Sequence, residues 1–401
     1  MKQMQISVLP FETQQDLDCH VASLMADEED RTFCLLHLNA TMDPSSALAC
    51  ASRRGTVLIG GSSCQGAITD GGMAGGAIFS IRDAKGSYGA ALRSFGDTAE
   101  TQPEQAARDA TLAAIRDAAR PGERPGLVWV YGTPGEEEAV LKGIESVVGS
   151  ETPILGGSAA DNSVAGEWFI FAEGKRTSRG VAVGVLYPSC EVSMAYQNGY
   201  APTGNSGIVT RVAGRRVLEI DGRPAAEVYD DWTGGLISKA GDTSRPRSIL
   251  SDSAFWPLGR ETHRVADVPF YILAHPSVVD ADGGLELFAD VAEGERLTQM
   301  TGSVSGLTSR AARVADLAAK AGGLDPDSIA GALVVYCAGC MLSVRDRIGD
   351  VVGGVREAIP NVPFAGVFTF GEQGPILSSG NRHGNLMISC VVFSKEELGA
   401  W

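Results

Sequence analysis

Two cysteines near the C-terminal end of the chain, Cys337 and Cys340, stand in a C-x-x-C spacing directly after a short apolar run. That spacing occurs in zinc clips, in dithiol redox centres and in catalytic thiols. A thiol that follows a strand and opens a helix has a lowered pKa, because the helix dipole favours the thiolate. The motif therefore leaves a metal, a redox pair, a nucleophile and a plain turn as alternatives.

An internal repeat decides how the motif is positioned. Three apolar runs, each short and rich in Val and Leu, are typical of buried strands: Phe33–Leu38, Leu127–Tyr131 and Leu333–Tyr336. A helical segment and a second short strand that ends at glycine follow each run, at Gly60-Gly61, at Gly156-Gly157 and at Gly366. A helix is predicted before each copy, over Gln15–Asp27, Glu104–Ala119 and Ser309–Ala321.

After each glycine turn, two further apolar runs predict a hairpin. The pairs are Ala77–Ile81 with Tyr88–Leu92, Trp168–Ala172 with Val181–Leu186, and Pro375–Ser378 with Asn385–Phe393. The predicted fold is therefore α/β (α+β), with mixed parallel and antiparallel sheets flanked by helices. It is built from three helix–strand–helix–strand–glycine-turn–hairpin units.

A different region separates the second and third units. It predicts a hairpin, a short helix over Pro224–Trp232 and a meander with turns at Asp282-Gly283 and Glu293-Gly294. The turn-rich segment around Asn205 marks the predicted boundary between two domains, 1–205 with two units and 206–401 with the meander and the third unit.

The repeat predicts a ligand site, because the carboxyl ends of parallel strands meet at one edge of a sheet. In the third unit, Cys337, Gly339 and Cys340 should face Thr369 and Glu372 across this edge. The glycine turns of the other units offer backbone amide groups and small hydroxyls that suit an anion. These are Gly60, Gly61, Ser62 and Ser63 in the first unit, and Gly156, Gly157 and Ser158 with Asp161 in the second. Close packing of strand and helix is the alternative reason for the glycines.

The same alignment weakens the metal and redox interpretations. The second unit fills the position of C-A-G-C with Y-G-T-P-G, which carries no thiol. Zinc requires four ligands, whereas the sequence has one C-x-x-C, no H-x-x-x-H and only Cys64 as a further thiol at an equivalent edge. A thiol enzyme that uses Cys337 or Cys340 with Glu372 as acid or base remains an alternative to a binding site.

Composition excludes several classes of partner. A formal net charge of -16 disfavours nucleic acid and anionic membrane surfaces, which need a basic footprint. The N-terminus lacks the apolar core of a signal peptide, and no apolar run is long enough to span a bilayer. Eight dispersed cysteines in a chain of 401 residues are typical of reduced thiols, which predicts a cytoplasmic protein.

An ordered set of segments resembles the FIST family from about Thr32 to Phe393. The segments are GGSSCQGAI, PILGGSAADN, VLEIDGRPAAEVY, YCAGC, GVFTFGEQGPI and NRHGN. The resemblance implies a non-catalytic sensory module of bacterial signal transduction that binds a small molecule, such as an amino acid, and carries no cofactor. The partner would be a separate histidine kinase, chemoreceptor or cyclic-dinucleotide enzyme. Some relatives resemble haem-containing nitric-oxide sensors, for which His383 or His275 would be the axial ligand.

The sequence departs from the family pattern at the C-x-x-C motif. Family members commonly have C-A-G-R where this chain has Cys337-Ala338-Gly339-Cys340, so the arginine that would bind a ligand carboxylate is replaced. Arg345 or Arg347 could substitute from the following helix. The family's Asn-x-Thr near the end implies a ligand role for Asn381, whereas the threonine is missing.

Overall fold

Short buried strands alternate with helices through most of the chain. The computed structural model describes residues 4–26, 32–51, 56–96, 98–240, 245–376 and 379–398. Its helices are α1 (Gln14–Ala26), α2 (Ser45–Ala51), α3 (Pro103–Asp117), α4 (Glu137–Val148), α5 (Ala225–Thr233), α6 (Val304–Ala321), α7 (Ala338–Ser343) and α8 (Ile348–Ala358).

The strands fall into those of the first two units and those that follow. The first group is β1 (Gln5–Phe11), β2 (Thr32–Asn39), β3 (Thr56–Ser63), β4 (Ala67–Thr69), β5 (Gly72–Ala74), β6 (Gly76–Arg82), β7 (Ser87–Ser94), β8 (Leu127–Gly132), β9 (Ile154–Ser158), β10 (Ile170–Ala172), β11 (Lys175–Thr177), β12 (Gly180–Tyr187) and β13 (Cys190–Gln197). The second group is β14 (Ala201–Ala213), β15 (Arg216–Ile220), β16 (Arg223–Pro224), β17 (Arg247–Ser248), β18 (Leu258–Val265), β19 (Val268–Ala274), β20 (Pro276–Val279), β21 (Leu285–Leu287), β22 (Arg296–Thr301), β23 (Ile329–Cys337), β24 (Phe364–Thr369), β25 (Gly371–Ile376), β26 (Gly380–Gly384) and β27 (Ile388–Glu397).

The three predicted units are present. They run α1-β2-α2-β3, α3-β8-α4-β9 and α6-β23-α7-α8-β24, and each strand pair is parallel. Local sequence supports the helices, since Pro103 opens α3 and the Ser303 hydroxyl accepts the Gly306 N–H at 3.1 Å to cap α6. Cys337 lies opposite Thr369 in the register, which confirms that the two predicted turns are neighbours.

The predicted hairpins are wrong in their pairing, although the runs themselves are strands. β6 pairs with β2 of its own unit, whereas β7 pairs with β12 of the second unit. β10 and β12 likewise belong to different sheets, and so do β25 and β27. A run that is apolar on both faces does not encode its partner, which explains the error. Asp27 and Ser378, the last residues of two predicted elements, lie outside the described residues.

Each unit instead contributes a short hairpin that extends the sheet of another unit. β4-β5 of the first unit extends β24, β10-β11 of the second extends β3, and β25-β26 of the third extends β9. The resulting six-stranded sheets are β1-β6-β2-β3-β10-β11, β26-β25-β9-β8-β12-β7 and β13-β27-β23-β24-β4-β5. The first unit thus extends the third, the third extends the second, and the second extends the first. The three units form a closed ring, in which the sheet of each unit is completed by a hairpin from another unit.

The three sheets share one apolar core. It includes Phe79 of the first sheet, Trp129 of the second, and Leu333 and Phe393 of the third. Helices cover the outer faces, with α1 and α2 on the first sheet, α3 and α4 on the second, and α6 and α8 on the third. Mixed sheets flanked by helices are thus the observed fold class, as predicted.

The region between the second and third units forms its own layer. Strands from β14 to β22 build a nine-stranded antiparallel sheet with α5 packed in its own apolar cluster. The predicted helix over Pro224–Trp232 corresponds to α5, and the meander corresponds to β19 through β22. β14 runs through Asn205, near which the sequence predicts a boundary, and the two-domain division stays a prediction.

We predict that Ser63→Ala weakens the exchange between the first and third units. The Ser63 hydroxyl accepts the buried Phe368 N–H at 2.9 Å and donates to the Gly66 carbonyl. Its removal leaves an unsatisfied buried amide, so the free energy of unfolding should fall by about 1–3 kcal/mol in urea titrations. Ser328→Ala is the control, because that hydroxyl bonds to the Asp325 carbonyl at the surface. Equal losses in both variants would contradict the prediction.

Candidate functional site

The C-x-x-C motif is a tight turn between β23 and α7. Cys337 is the last residue of β23, and Cys340 is the third residue of α7. Both thiols are buried, with 3% of Cys337 and none of Cys340 exposed. Cys340 Sγ lies 3.3 Å from Arg310 Nη2 and 3.6 Å from Tyr200 Oη. Cys340 therefore points inward, toward α6.

Arg310 is a buried cation, and no pattern in the sequence indicates its burial. Its guanidinium donates to Cys340 Sγ and, at 3.1 Å, to the Leu386 carbonyl. The same group lies 5.7 Å from the ring centre of Tyr200 and 5.8 Å from that of Tyr336. A buried guanidinium is costly without a counter-charge, and the sulfur of Cys340 is the group placed to supply it.

The two thiols of the motif have opposite protonation behaviour. Burial acts to raise the pKa of Cys340, but the hydrogen bond from the Cys337 thiol and the charge of Arg310 lower it to about 6. Burial raises the pKa of Cys337 well above its usual range, and its hydrogen bond to Cys340 adds to the shift. These opposite shifts make Cys340 the thiol of the motif that ionises first, beside a neutral Cys337.

Glu372 lies in the same buried layer and is fully enclosed. Its Oε1 accepts the Thr369 hydroxyl at 2.8 Å, and its Oε2 accepts the Met387 N–H at 2.9 Å. Burial raises the pKa of this carboxyl well above its usual range, which favours the neutral acid. Thr369 and Glu372 therefore join the end of β24 to the segment before β27, behind the Cys337 turn.

A cavity of about 230 Å³ opens on the other side of Cys337. Its apolar lining is Val164, Leu250, Ala254, Phe255, Phe288, Leu342 and Phe370, and its polar lining is Ser251, His275, Cys337, Ser343 and Asn385, with Gly339 between them. The walls come from the second unit, the third unit and the antiparallel layer. A small and largely apolar molecule fits such a site.

His275 is the most distinctive polar group of this lining. The ring is buried, and its Nε2 has no hydrogen-bond partner among the described residues. Burial lowers the pKa of His275 to about 4, against a hydrogen bond to the Leu250 backbone. The imidazole is therefore neutral. Its backbone N–H donates to Asn385 Oδ1 at 3.1 Å, which anchors the residue to the third unit.

Gly339 keeps the cavity open. A Cβ atom at this position would lie 3.5 Å from His275 Cε1 and 3.6 Å from Cys337 Sγ. These are ordinary contact distances, so alanine fits and only larger side chains would fill the space. Gly339 of the C-A-G-C turn thus lines the cavity and, because it has no side chain, leaves its volume empty.

Asp161 shapes the part of the lining that the second unit contributes. Its carboxylate accepts four backbone N–H groups, from Ser163, Val164, Ala165 and Glu167. This set of bonds folds the loop that carries Val164 to the cavity. Asp161 itself is fully buried and holds the wall in place from behind.

The glycine turns of the first two units lie elsewhere. A Cβ at Gly60 would lie 2.5 Å from the Leu36 carbonyl, and one at Gly61 would lie 3.0 Å from the Tyr131 ring. The Ser62 hydroxyl accepts the Phe169 N–H at 2.9 Å. These residues, like Ser63, serve the packing and exchange of strands in this structure.

The second unit shows the same use of small residues. Gly156 has a φ of +137°, and a Cβ there would lie 2.0 Å from the Val130 carbonyl. A Cβ at Gly157 would lie 2.5 Å from the Thr369 side chain. The Ser158 hydroxyl donates to Glu137 Oε1 at 2.6 Å. Both glycines are thus required for close packing between strands.

The two remaining candidates lie on β26, at the edge of the second sheet. Asn381 Oδ1 accepts the Ile154 N–H at 2.8 Å, and its Nδ2 donates to Glu145 Oε1 at 2.9 Å. His383 contacts the Phe288 carbonyl through Nε2 at 3.2 Å. Neither residue lines the cavity beside Cys337. Only Cys337 and Gly339 of the predicted ligand residues, and His275 of the haem candidates, do so.

One group of possible metal ligands occurs in the described part of the chain, formed by Glu137, Glu138 and His383. Arg215 already lies against it, with Nη2 2.7 Å from Glu137 Oε2 and 2.6 Å from Glu138 Oε2. Burial acts to raise the pKa of Glu137, but His383, Arg215 and the Ser158 hydroxyl together lower it to about 2. The guanidinium therefore provides the positive charge that a metal would bring.

Sequence reasoning missed Arg310 and the aromatic lining. Arg310 lies in an alanine-rich helix, where an arginine is normally read as a surface residue. Phe288 and Phe370 follow strands but carry no motif. The proposed substitution by Arg345 or Arg347 is not seen, since both are exposed and Arg347 pairs with Asp350. The cation beside Cys340 comes from α6 instead.

Two domain models match nearly the whole chain. The FIST N domain covers residues 32–223, and the FIST C domain covers residues 225–375. The chain belongs to the FIST family. FIST domains are sensory domains of signal transduction, and the family is in general non-catalytic. Within the described residues, no helix combines the length and hydrophobicity that crossing a membrane requires.

More distant similarities complete the comparison. An uncharacterized protein of Methanocaldococcus jannaschii is 34% identical over 106 residues, which are 26% of this chain and 20% of that protein. A cyanuric acid hydrolase from A. caulinodans gives a TM-score of 0.43 at 8% identity, over 99% of this chain and all of the other. A second cyanuric acid hydrolase structure gives 0.40 at 9% identity, over 98% of this chain and all of the other. These scores are too low to bear on the activity of this chain.

We predict that Cys340 titrates near pH 6. The ultraviolet thiolate absorbance of the wild type minus that of Cys340→Ser should rise with a midpoint at about 6. In an Arg310→Gln background the same difference should move upward by about one pH unit or more, because an attractive charge is lost. Arg310→Lys keeps the charge and should retain a low midpoint.

Cys390 offers a matched control for this titration. It is equally buried, and burial raises its pKa to about 12, so Cys390→Ser should remove no absorbance change between pH 5 and 9. A Cys340 midpoint near that of an ordinary thiol, at about 8.5, would contradict the assigned ion pair.

Proposed function

We propose that this protein is a non-catalytic sensor of bacterial signal transduction that binds a small molecule in the cavity beside Cys337. The observation that carries the proposal is the pairing of an apolar cavity of about 230 Å³ with the buried, unpartnered Nε2 of His275. Buried polar atoms are normally satisfied, and ligand sites combine an apolar lining with a few oriented polar groups.

The two thiols support binding rather than nucleophilic catalysis. A thiol nucleophile must be both ionised and accessible to substrate. Cys337 lines the cavity but is neutral, whereas Cys340 is ionised but sealed against Arg310. Glu372 is occupied by Thr369 and Met387, away from the cavity lining. A thiol enzyme would need an ionised and accessible thiol next to an available acid or base. Here no one of Cys337, Cys340 and Glu372 combines these properties.

The signalling output of the proposed sensor is a separate protein. A histidine kinase, a chemoreceptor or a cyclic-dinucleotide enzyme fits the sensory role of the family. All eight cysteines fall within the described residues and are free thiols, which supports a reducing, cytoplasmic compartment. The net charge of -16 favours protein and small-molecule partners over nucleic acid or an anionic membrane.

Haem is the alternative ligand: the His275 ring suits it, whereas a cavity of about 230 Å³, sized for one or two rings, would have to widen to admit a porphyrin. His275 has a neutral imidazole with a free Nε2, which is the form that binds iron, whereas both ring nitrogens of His383 have neighbours within 3.3 Å. Haem binding would give a Soret band after supplementation of the purified protein. That band should disappear in His275→Ala and persist in His383→Ala. Its absence in the supplemented wild type removes this alternative.

We predict that filling the cavity abolishes ligand binding. Calorimetric titration should use the twenty amino acids, nucleobases, phenol and indole as probes. Gly339→Leu should lower the affinity of any binding probe at least about tenfold, because the side chain occupies the volume of the ligand. Gly339→Ala is the matched control and should retain binding, because its Cβ makes only ordinary contacts.

Thermal unfolding of the two variants checks that the fold persists. A probe that binds Gly339→Leu as tightly as the wild type binds elsewhere, which would contradict the proposed site. If none of the probes binds the wild type, that result would count against the proposed function itself.

A further inference from the structure

We propose that the cavity selects neutral aromatic molecules of one or two rings that carry a hydrogen-bond donor, rather than zwitterionic amino acids. The inference rests on the proposed function and names its ligand class. It is carried by the charge, the hydrogen bonding and the size of the lining.

No side chain that lines the cavity is charged at neutral pH. The two ionisable groups are His275 and Cys337, and both are neutral there because burial disfavours their charged forms. Two buried charged groups lie behind the lining: the Asp161 carboxylate is held by four backbone N–H groups, and Arg310 is paired with Cys340. Inside this lining, an ammonium or carboxylate group of a ligand would lose part of its hydration and meet no charged side chain, which is unfavourable.

Among the described residues of the polar lining, His275 holds the buried nitrogen that has no hydrogen-bond partner, Nε2. Ser343 Oγ donates to the Gly339 carbonyl at 2.8 Å, and Asn385 Oδ1 accepts the His275 N–H. We assign the proton of the neutral His275 ring to Nδ1, since the Leu250 backbone favours a ring N–H and Nε2 has no partner. Nε2 is then the nitrogen with the lone pair. A ligand that reaches Nε2, which is buried in the structure, must bring an N–H or O–H group to satisfy it.

The size and the aromatic lining define the rest of the ligand. An apolar cavity of about 150 Å³ is known to hold benzene, so about 230 Å³ suits one or two rings. Phe255, Phe288 and Phe370 contribute three aromatic walls, and Phe288 packs edge-on against His275 at 6.2 Å between ring centres. Aromatic rings pack favourably against such walls in edge or offset geometry.

The test uses four probes of similar shape: phenol, toluene, benzoate and L-phenylalanine. Phenol and toluene differ in the donor alone, and the other two add charge. In the wild type, phenol should bind about tenfold tighter than toluene, as a hydrogen bond to an otherwise unsatisfied buried acceptor predicts. Benzoate and L-phenylalanine should bind at least about tenfold more weakly than phenol.

His275→Phe removes the acceptor and keeps a flat ring. The preference for phenol over toluene should disappear in this variant. Because both probes experience the same change of cavity shape, their ratio isolates the hydrogen bond even where the absolute affinities change. A ratio that is equal in the wild type and in His275→Phe would overturn the proposal, as would tighter binding of benzoate or L-phenylalanine.

Failure of this inference differs from failure of the proposed function. If an amino acid binds the wild type and Gly339→Leu abolishes that binding, the site stands and the ligand class is wrong. If none of the four probes and no amino acid or nucleobase binds, both are overturned.

Discussion

The exchange of hairpins among three parallel strand pairs is the constraint on which the rest of the structure depends. Val367 of β24 pairs with Ala67 of the first unit, and the Phe368 N–H is held by the Ser63 hydroxyl, 305 residues away in sequence. The next residue but one, Phe370, donates its N–H to the Ser158 carbonyl of the second unit. A wall of the cavity is therefore positioned by contacts from all three units, so the site exists only when the ring is closed.

The turn between β23 and α7 separates two environments that a single residue connects. On one side lies the neutral cavity, and on the other lies the buried pair of Arg310 and Cys340. Cys337 touches both, because its side chain lines the cavity and its thiol contributes to the lowered pKa of Cys340. Gly339 leaves space on the cavity side, whereas Ala338 is fully buried. Each position of the turn thus meets a different physical requirement, which a metal clip would not impose.

The sequence was sufficient for the units but not for their assembly. Short apolar runs followed by glycine predict the parallel pairs and place Cys337 opposite Thr369, because strand length and crossover geometry are local properties. The partners of β7 or β10 are not local, since a strand that is apolar on both faces fits any sheet. Apart from Cys337 and Gly339, the cavity lining escaped prediction for a related reason. It includes Phe288, His275 and a loop of the second unit, which no motif links in sequence.

The cysteine at position 340 is explained by the charge of Arg310. An arginine there, as the family resemblance leads one to expect, would place a second guanidinium beside the first in a fully buried region. Glu372 is the carboxyl of this layer, and two buried cations would favour its ionisation, against the burial that now keeps it neutral. With Cys340, the sulfur supplies the counter-charge of Arg310, and burial keeps the pKa of Glu372 raised. The residue that gives the motif its second cysteine thus balances the buried cation behind the cavity wall.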